Sequence, residues 1–343
     1  MGGLGIIIPS QLCATYYKNS KAMTAPLVNR IINQYTGISE EGEYNVQEVK
    51  DKIKAEKTER EKSKMEFVKS HINPQQLRIL EATSEKGASS WLSTLPLKAH
   101  NFYLNKQTFW DTIYLRFGIP IPRLPTNCVC GLKFSIEHAL TCKKGGFISI
   151  RHNDLRDFTA EILDEIHNDV SIEPLLIPLT GENFKYKSAK TEVHARLDLA
   201  ARGVFIKGNR AFFDLRVFNP LAPFYGKMSL AAAHSSNENS KKREYNERVL
   251  QVEHGSFTPL VFSCLGGMSV ECSNFYNRIS DRLAEKRNIE PSRAKSWLRT
   301  KLNFCLLRTT NMCIRGSRTK LQEKEALKDT NIQMAMVDAR ITE

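Results

Sequence analysis

The 343-residue chain has no run of about 18 apolar residues, the length that a helix needs to cross a bilayer, so we expect no membrane span. Its first residues, MGGLGIIIP, lack the basic stretch and long apolar core of a secretory signal, and Ile6 stands where an N-myristoylation site needs Ser or Thr. The chain has eight cysteines and is long enough to bury its own core. Reduced thiols and a metal site are therefore favoured over disulfides.

Positive charge is in excess, with a formal net charge of +13. A basic protein binds polyanions well, because each phosphate that it neutralises releases counterions. Anionic membrane surfaces attract basic proteins too. Composition therefore leaves both nucleic acid and a membrane surface open as partners.

Composition and turn residues divide the chain into five regions. The Pro-rich stretch IPIPRLP, near residues 119–126, breaks regular structure and marks the clearest boundary. The predicted regions are an apolar Gly-rich start at 1–43 with a helix near 27–34, a mostly helical region at 44–118, a cysteine-containing segment at 119–147, a core at 148–290, and a basic helix and tail at 291–343.

The core region alternates between helical and strand-like patterns. Apolar residues recur at helical spacing after Arg151, and three strand-like stretches follow. We expect strands at 172–178, 195–206, 210–220 and 258–265, and helices at 238–253 and 269–287. This order predicts an α/β (α+β) fold with a mixed sheet, preceded by a mostly helical region.

Four metal-ligand residues lie within fifteen positions in the pattern Cys-x-Cys-x7-His-x3-Cys, formed by Cys128, Cys130, His138 and Cys142. Zinc prefers tetrahedral thiolate and imidazole ligands, and three cysteines with one histidine form a standard structural set. Gly131 permits a tight turn after the first pair, and Cys142 lies one helical turn after His138. The alternative is a chance cluster of buried cysteines with a core histidine.

Two acids interrupt the apolar strands of the core, Asp198 in ARLDLAARG and Asp214 in AFFDLRVF. The glycines between them suit a hairpin, which would set the two carboxylates side by side around a divalent cation such as Mg²⁺. Arg216 follows on the same strand face. The next helix carries three further candidates, Lys241 and Lys242 at its start and Tyr245 one turn later. Asp157 or Glu161 could add a metal ligand. The alternative is a structural ion network of Asp198 with Arg196 or Arg216.

The segment 291–321 has eight Lys or Arg and no Asp or Glu. Its apolar residues give it a second face, so a basic amphipathic helix is predicted that binds nucleic acid, a membrane or a partner helix. The alternative is a packed terminal helix whose outer face is merely soluble. The candidate nucleic-acid contacts are Arg293, Lys295, Arg299, Lys301, Arg308 and Arg315.

In this order the cysteine-histidine pattern, the Arg-x-Asp and the second strand aspartate resemble the C-terminal region of non-LTR retrotransposon polyproteins. In that family a CCHC zinc knuckle precedes a restriction-like endonuclease of the PD-(D/E)xK type, which nicks DNA to prime reverse transcription. Phrases such as EHALTCKKGGFISIRHND and FFDLRVFNP are similar to those of retroelement reading frames, and GGLGI resembles the segment after a reverse-transcriptase thumb. Region 1–43 would then be a remnant following that thumb.

The resemblance implies a restriction-endonuclease-like core at 148–290, with Asp198 and Asp214 holding catalytic Mg²⁺ and a structural Zn²⁺ in the knuckle. In that family the catalytic lysine can move to the next helix with a tyrosine one turn later, which KKREY (241–245) matches. Arg216 stands where a simple nuclease of this type has lysine, and Arg-Leu-Asp replaces the usual Pro-Asp at Asp198. No Tyr/Phe-x-Asp-Asp polymerase motif is present, so a separate reverse transcriptase would be the partner.

Three functions follow as hypotheses. The first is a Mg²⁺-dependent DNA endonuclease that acts in the nucleus, with the cytoplasm left open, and hydrolyses one phosphodiester bond. The second is a catalytically inactive, retroelement-derived zinc protein that binds DNA, with RNA also open. The third is a partner-binding scaffold built on the helical N-terminal part, for which a steep loss of DNA affinity with added salt would be contrary evidence.

Overall fold

A computed structural model describes residues 9–34 and 46–316. The chain divides between Leu77 and Arg78 into two compact units. The Gly-rich start and the GGLGI segment lie outside the described residues, as does the tail beyond Gly316 with Arg318 and Lys320. No described helix is both long and apolar enough to cross a membrane.

The first unit contains two long helices, α1 (Pro9–Ile32) and α2 (Val46–His71). The helix predicted near 27–34 is the last part of α1, which begins much earlier. The charge-rich segment after residue 44 is helical, as predicted, and its described side chains are mostly exposed. Glu48 and Lys52 pair one turn apart on its surface, an arrangement that stabilises an exposed helix modestly.

The second unit begins within α3 (Pro74–Ser84) and continues through α4 (Ser90–Ser93) and α5 (Lys106–Phe117). The side chain of Asn105 accepts a hydrogen bond from the Thr108 amide at the start of α5, and Gly118 ends the helix in the left-handed conformation. After the Pro-rich stretch come α6 (Ile136–Ala139) and α7 (Phe147–Ile166). The predicted helical region therefore ends where the prolines begin.

A four-stranded mixed sheet follows α7. It consists of β1 (Asn168–Ile172), β2 (Leu199–Arg202), β3 (Arg210–Phe218) and β4 (Ser256–Ser263), in that spatial order. The first two pairings are antiparallel, and β3 pairs parallel with β4. The parallel pair needs a crossover, which α8 (Leu230–Gln251) supplies. The sequence expectation of a mixed sheet among helices is confirmed.

Helices cover both faces of the sheet. Leu199, Phe213 and Leu260 lie on one face in the main core, which also contains residues of α7, α9 (Val270–Arg287) and α10 (Pro291–Arg315). Ala200 and Phe212 alternate to the other face and pack with Tyr245 of α8. Asp214 follows Phe212 at the two-residue period of a strand, so its side chain is directed toward α8.

Several strand boundaries differ from the sequence expectation. The first strand is Asn168–Ile172, and IEPLLIP, at 172–178, is largely a loop with one isolated bridge between Leu175 and Arg196. The strand expected at 195–206 is only Leu199–Arg202, so Asp198 precedes it by one residue and is not mid-strand. Two prolines interrupt the apolar run at 172–178, and proline has no amide to donate to a ladder.

Helix α10 is packed on most of its circumference. Leu298, Leu302 and Leu306 belong to the main core, and Phe304 packs with Trp91 and Phe102. It therefore joins the core helices to the segment around α4 and α5. The packed terminal helix, which the sequence left as the alternative, describes most of these contacts, and binding by its basic side chains stays a prediction.

Candidate functional site

The cysteine-histidine segment forms a small hairpin followed by one helical turn. Asn127 pairs with Lys133, and the Cys128 amide donates to the Leu132 carbonyl. Gly131 turns the chain with φ +90°, a conformation that disfavours side chains. Ser135 caps α6 by accepting from the amide of His138, and the Cys142 amide donates to the His138 carbonyl. The two later residues thus lie one turn apart, as the sequence predicted.

Ligand atoms of Cys128, Cys130, His138 and Cys142 all lie within 4.8 Å of one another, so the group could hold a metal ion. The Sγ atoms of Cys128 and Cys142 are 3.8 Å apart, and Cys130 Sγ is 3.1 Å from His138 Nε2. A tetrahedral site with metal–sulfur bonds of about 2.3 Å has sulfur–sulfur edges of about 3.8 Å. The donor chemistry and the sulfur spacing therefore fit a tetrahedral ion bound by four protein ligands.

Asp214 lies on β3, and Asp198 directly precedes the paired strand β2. Leu199 is the register partner of Phe213, which brings the preceding Asp198 next to the following Asp214. The hairpin between the strands turns at Gly203 and Gly208, both with φ +81°. The predicted adjacency of these acids therefore follows from the observed register.

Asp214 is 5% exposed in the middle of β3. Its Oδ2 lies 2.9 Å from Lys241 Nζ, and no hydrogen bond of standard geometry from a described residue reaches this oxygen. Burial raises the pKa of Asp214 to about 6, with help from the charge of Asp198 and against the attraction of Lys241. For Lys241, burial alone would lower the pKa, but Asp214 outweighs it and raises the pKa.

Asp198 is held by two donors. Its Oδ2 lies 3.0 Å from His152 Nε2 and accepts from the Leu215 amide at 2.6 Å. Burial disfavours the charge of His152, but the hydrogen bond to Asp198 outweighs it and raises the histidine's pKa. Sequence reasoning missed His152, which lies in α7 and is 46 positions from Asp198. No local pattern marks it.

Of the two candidate lysines, Lys241 faces the acids, whereas Lys242 forms an ion pair with Glu271. Tyr245 is buried one turn after Lys241, whose Nζ lies 5.6 Å from the tyrosine ring centroid. Burial, the first cause, and the charge of Asp214 raise the pKa of Tyr245, so the phenol stays protonated at neutral pH.

The other residues predicted to assist the two aspartates do not contact them directly in the contacts described. Arg216 is half-buried on β3, and its charge acts to lower the pKa of Lys241. Asp157 pairs with Arg156 at 2.8 Å, and Glu161 is exposed. Arg196 contacts Glu173 at 3.7 Å. No ion pair of Asp198 with Arg196 or Arg216 is found among the described residues, so the alternative network has a different composition.

The basic side chains of α10 are largely engaged within the second unit. Arg315 pairs with buried Asp111 through two hydrogen bonds of 2.7 and 2.8 Å. Arg308 donates to the Tyr103 carbonyl, Lys301 to the His100 carbonyl and Arg299 to the Asn277 side chain. Arg293 is exposed and Lys295 is half-buried at the start of the helix. Most of the predicted nucleic-acid contacts therefore stabilise the fold.

Comparison of the chain with protein-family models and with curated protein sequences finds no match to either.

Proposed function

We propose that this protein is a metal-dependent DNA endonuclease that hydrolyses one phosphodiester bond. The resemblance to the restriction-like domain of non-LTR retrotransposons motivates the proposal. The observation that supports it best is the buried Asp214 beside Asp198 with Lys241 at 2.9 Å. A mixed sheet with helices on both faces is compatible with a restriction-endonuclease-like core. The nuclear location and the reverse-transcriptase partner implied by the resemblance remain predictions.

The chemistry of the donors fits a hard divalent cation such as Mg²⁺. Asp198 and Asp214 provide oxygen ligands, and their mutual repulsion contributes to the raised pKa of Asp214. A cation between them would remove that repulsion and would take the place of the Lys241 ammonium, which lies 2.9 Å from Asp214 Oδ2. When bound, the ion would lower the pKa of a water molecule and polarise the phosphoryl oxygen.

The chain's own residues would orient the scissile phosphate. Lys241 would move from Asp214 to a non-bridging phosphate oxygen and neutralise charge that develops in the transition state. Arg216 would contact the same or the adjacent phosphate through its guanidinium, which stays charged and cannot readily serve as a base. Tyr245 would position the Lys241 ammonium with its ring, at the observed 5.6 Å. His152 would orient Asp198 through its 3.0 Å contact.

For the cysteine-histidine group we infer structural zinc. All four positions of a tetrahedral ion are taken by protein ligands, which leaves no coordination site for a substrate. The role is therefore to fix the segment 127–142. This short segment has a hairpin of few backbone hydrogen bonds, and a bound metal would supply further stability.

A nicking assay on supercoiled plasmid with Mg²⁺ tests the enzymatic proposal. We expect wild-type protein to convert supercoiled to open-circular DNA, and Asp214→Asn to reduce the rate at least about a hundredfold. Glu271→Gln, which removes an acid from the neighbouring Lys242 pair, is the matched control and should nick normally. If wild type and Asp214→Asn bound DNA equally and the wild type did not nick it, the nuclease proposal would be overturned and the inactive binding protein favoured.

A further inference from the structure

The loop between β1 and β2 presents a basic surface beside the proposed site. We define the basic loop as residues 183–196, NFKYKSAKTEVHAR, which contains four basic side chains and one acidic one, a net charge of +3. Lys185, Tyr186 and Lys187 are exposed, whereas Lys190, whose side chain is 40% exposed, contacts Glu192 at 3.3 Å. No ion pair with Lys185 or Lys187 is found among the described residues. These two charges are therefore available to a partner.

The basic loop is held in place by α8. Arg248, which is completely buried, donates to the carbonyls of Lys190 at 2.7 Å and Glu192 at 3.0 Å. The Lys185 amide donates to the Glu247 side chain at 2.7 Å. Hydrogen bonds to a charged group are stronger than neutral ones, so these contacts order the loop backbone. A loop ordered in advance loses less conformational entropy when its side chains bind a ligand.

The same helix joins the basic loop to the acids. The Lys190 amide donates to the Glu244 carbonyl at 2.9 Å, and Glu244 Oε2 lies 3.5 Å from Lys241 Nζ. Lys241 in turn pairs with Asp214. The backbone of Lys190 therefore lies against the helix that carries Lys241, so a duplex with one phosphate at Lys241 would run beside the basic loop.

We propose that the basic loop binds the phosphate backbone of duplex DNA next to the proposed site. The inference rests on the proposed function for its choice of DNA as the polyanion. It transfers the main DNA contact from α10, whose basic side chains are mostly engaged in the fold, to the β1–β2 connection. Tyr186, 38% exposed and with Lys185 Nζ 5.5 Å from its ring centroid, lies among these lysines and provides an aromatic contact surface.

Fluorescence anisotropy with a labelled 24-base-pair duplex, without added Mg²⁺, tests the inference independently of cleavage. We expect the triple variant Lys185→Ala, Lys187→Ala, Lys190→Ala to bind about tenfold or more weakly at ~150 mM salt. The slope of log K against log salt should fall in magnitude by about 0.9 for each phosphate contact removed. Because these changes remove exposed side chains, urea denaturation should give nearly wild-type stability.

The matched control removes the same charge from exposed lysines of α2, with Lys54→Ala, Lys57→Ala and Lys64→Ala. This variant should retain the wild-type salt slope. The inference would be overturned if the salt slopes of wild type and loop variant were equal, or if the loop and control variants lost the same amount of DNA affinity. If the wild type fails to nick DNA while the loop variant alone loses binding, the endonuclease proposal fails and the DNA-binding role of the loop stands.

Discussion

Replacement of Lys241 by methionine should lower the free energy of unfolding by about 2–4 kcal/mol. The side chains of Lys241 and Asp214 are 17% and 8% exposed, so this ion pair is largely shielded from solvent. Removal of one member of a buried pair leaves an uncompensated charge and typically costs about 3–5 kcal/mol. The Lys241 side chain is not fully shielded from solvent, so we expect a loss somewhat below that range.

The neighbouring lysine provides the control. Lys242 pairs with Glu271, and both side chains are about a third exposed, at 39% and 32%. Exposed pairs of this kind contribute roughly 0–1 kcal/mol. Lys242→Met should therefore reduce stability by less than about 1 kcal/mol, although it makes the same chemical change one position away on α8.

Urea denaturation of zinc-loaded protein, followed by circular dichroism without Mg²⁺, measures both effects. A double variant, Lys241→Met with Asp214→Asn, should recover part of the loss, because the neutral amide no longer needs a cation; we expect a coupling energy of about 1–3 kcal/mol. Equal destabilisation by Lys241→Met and Lys242→Met, or a coupling energy near zero, would refute the assignment of Lys241 to the buried acid.

Three further predictions concern the rest of the second unit. Purified wild-type protein should contain about one zinc per chain by elemental analysis, and Cys142→Ser should lose most of it; a zinc-free, fully folded wild type would contradict the structural role. Arg315→Met should destabilise the fold by about 3–5 kcal/mol in urea denaturation, because it strands the carboxylate of buried Asp111, whereas exposed Arg293→Met should cost under about 0.5 kcal/mol. Burial, with the charge of Asp157, raises the pKa of Asp154 from 3.8 to about 6. Because this pKa is raised in the folded protein, the wild type loses stability as pH rises from about 4 to 6. The free energy of unfolding of Asp154→Asn should therefore exceed that of wild type by about 1 kcal/mol at pH 8, a value that allows for partial exposure, and should equal it at pH 4.

The hairpin and the acid pair could be predicted because their determinants are local. Gly203 and Gly208 allow the turn, and the two-residue period of a strand then places Asp198 next to Asp214. The cysteine-histidine group was predictable for the same reason, since its four ligands lie within fifteen positions. A short spacing allows the backbone few conformations, so the sequence pattern alone predicts how the side chains are arranged.

Long-range contacts could not be predicted in this way. Lys241 and Lys242 differ by about 100° around the helix axis, so only the rotation of α8 against the sheet decides which one meets Asp214. His152 reaches Asp198 from α7, and Arg315 finds Asp111 in α5. The sequence of α10 predicts a basic amphipathic helix but does not reveal its partners, because Asp111 and the Tyr103 carbonyl lie about 200 positions earlier in the chain.

Helix α8 connects the buried acid of β3 with the basic loop. Its Lys241 meets the buried acid of β3, and its Arg248, two turns later, holds the backbone of the basic loop. Both side chains are fixed by the packing of one helix, whose Val249 and Tyr245 lie in the same apolar cluster as Phe212. A change in that packing would therefore displace the lysine and the loop together. Val249→Ala, which forms a cavity, should consequently weaken both duplex binding and the contact between Lys241 and Asp214. Mutations of the loop lysines alone should leave the stability of that ion pair unchanged.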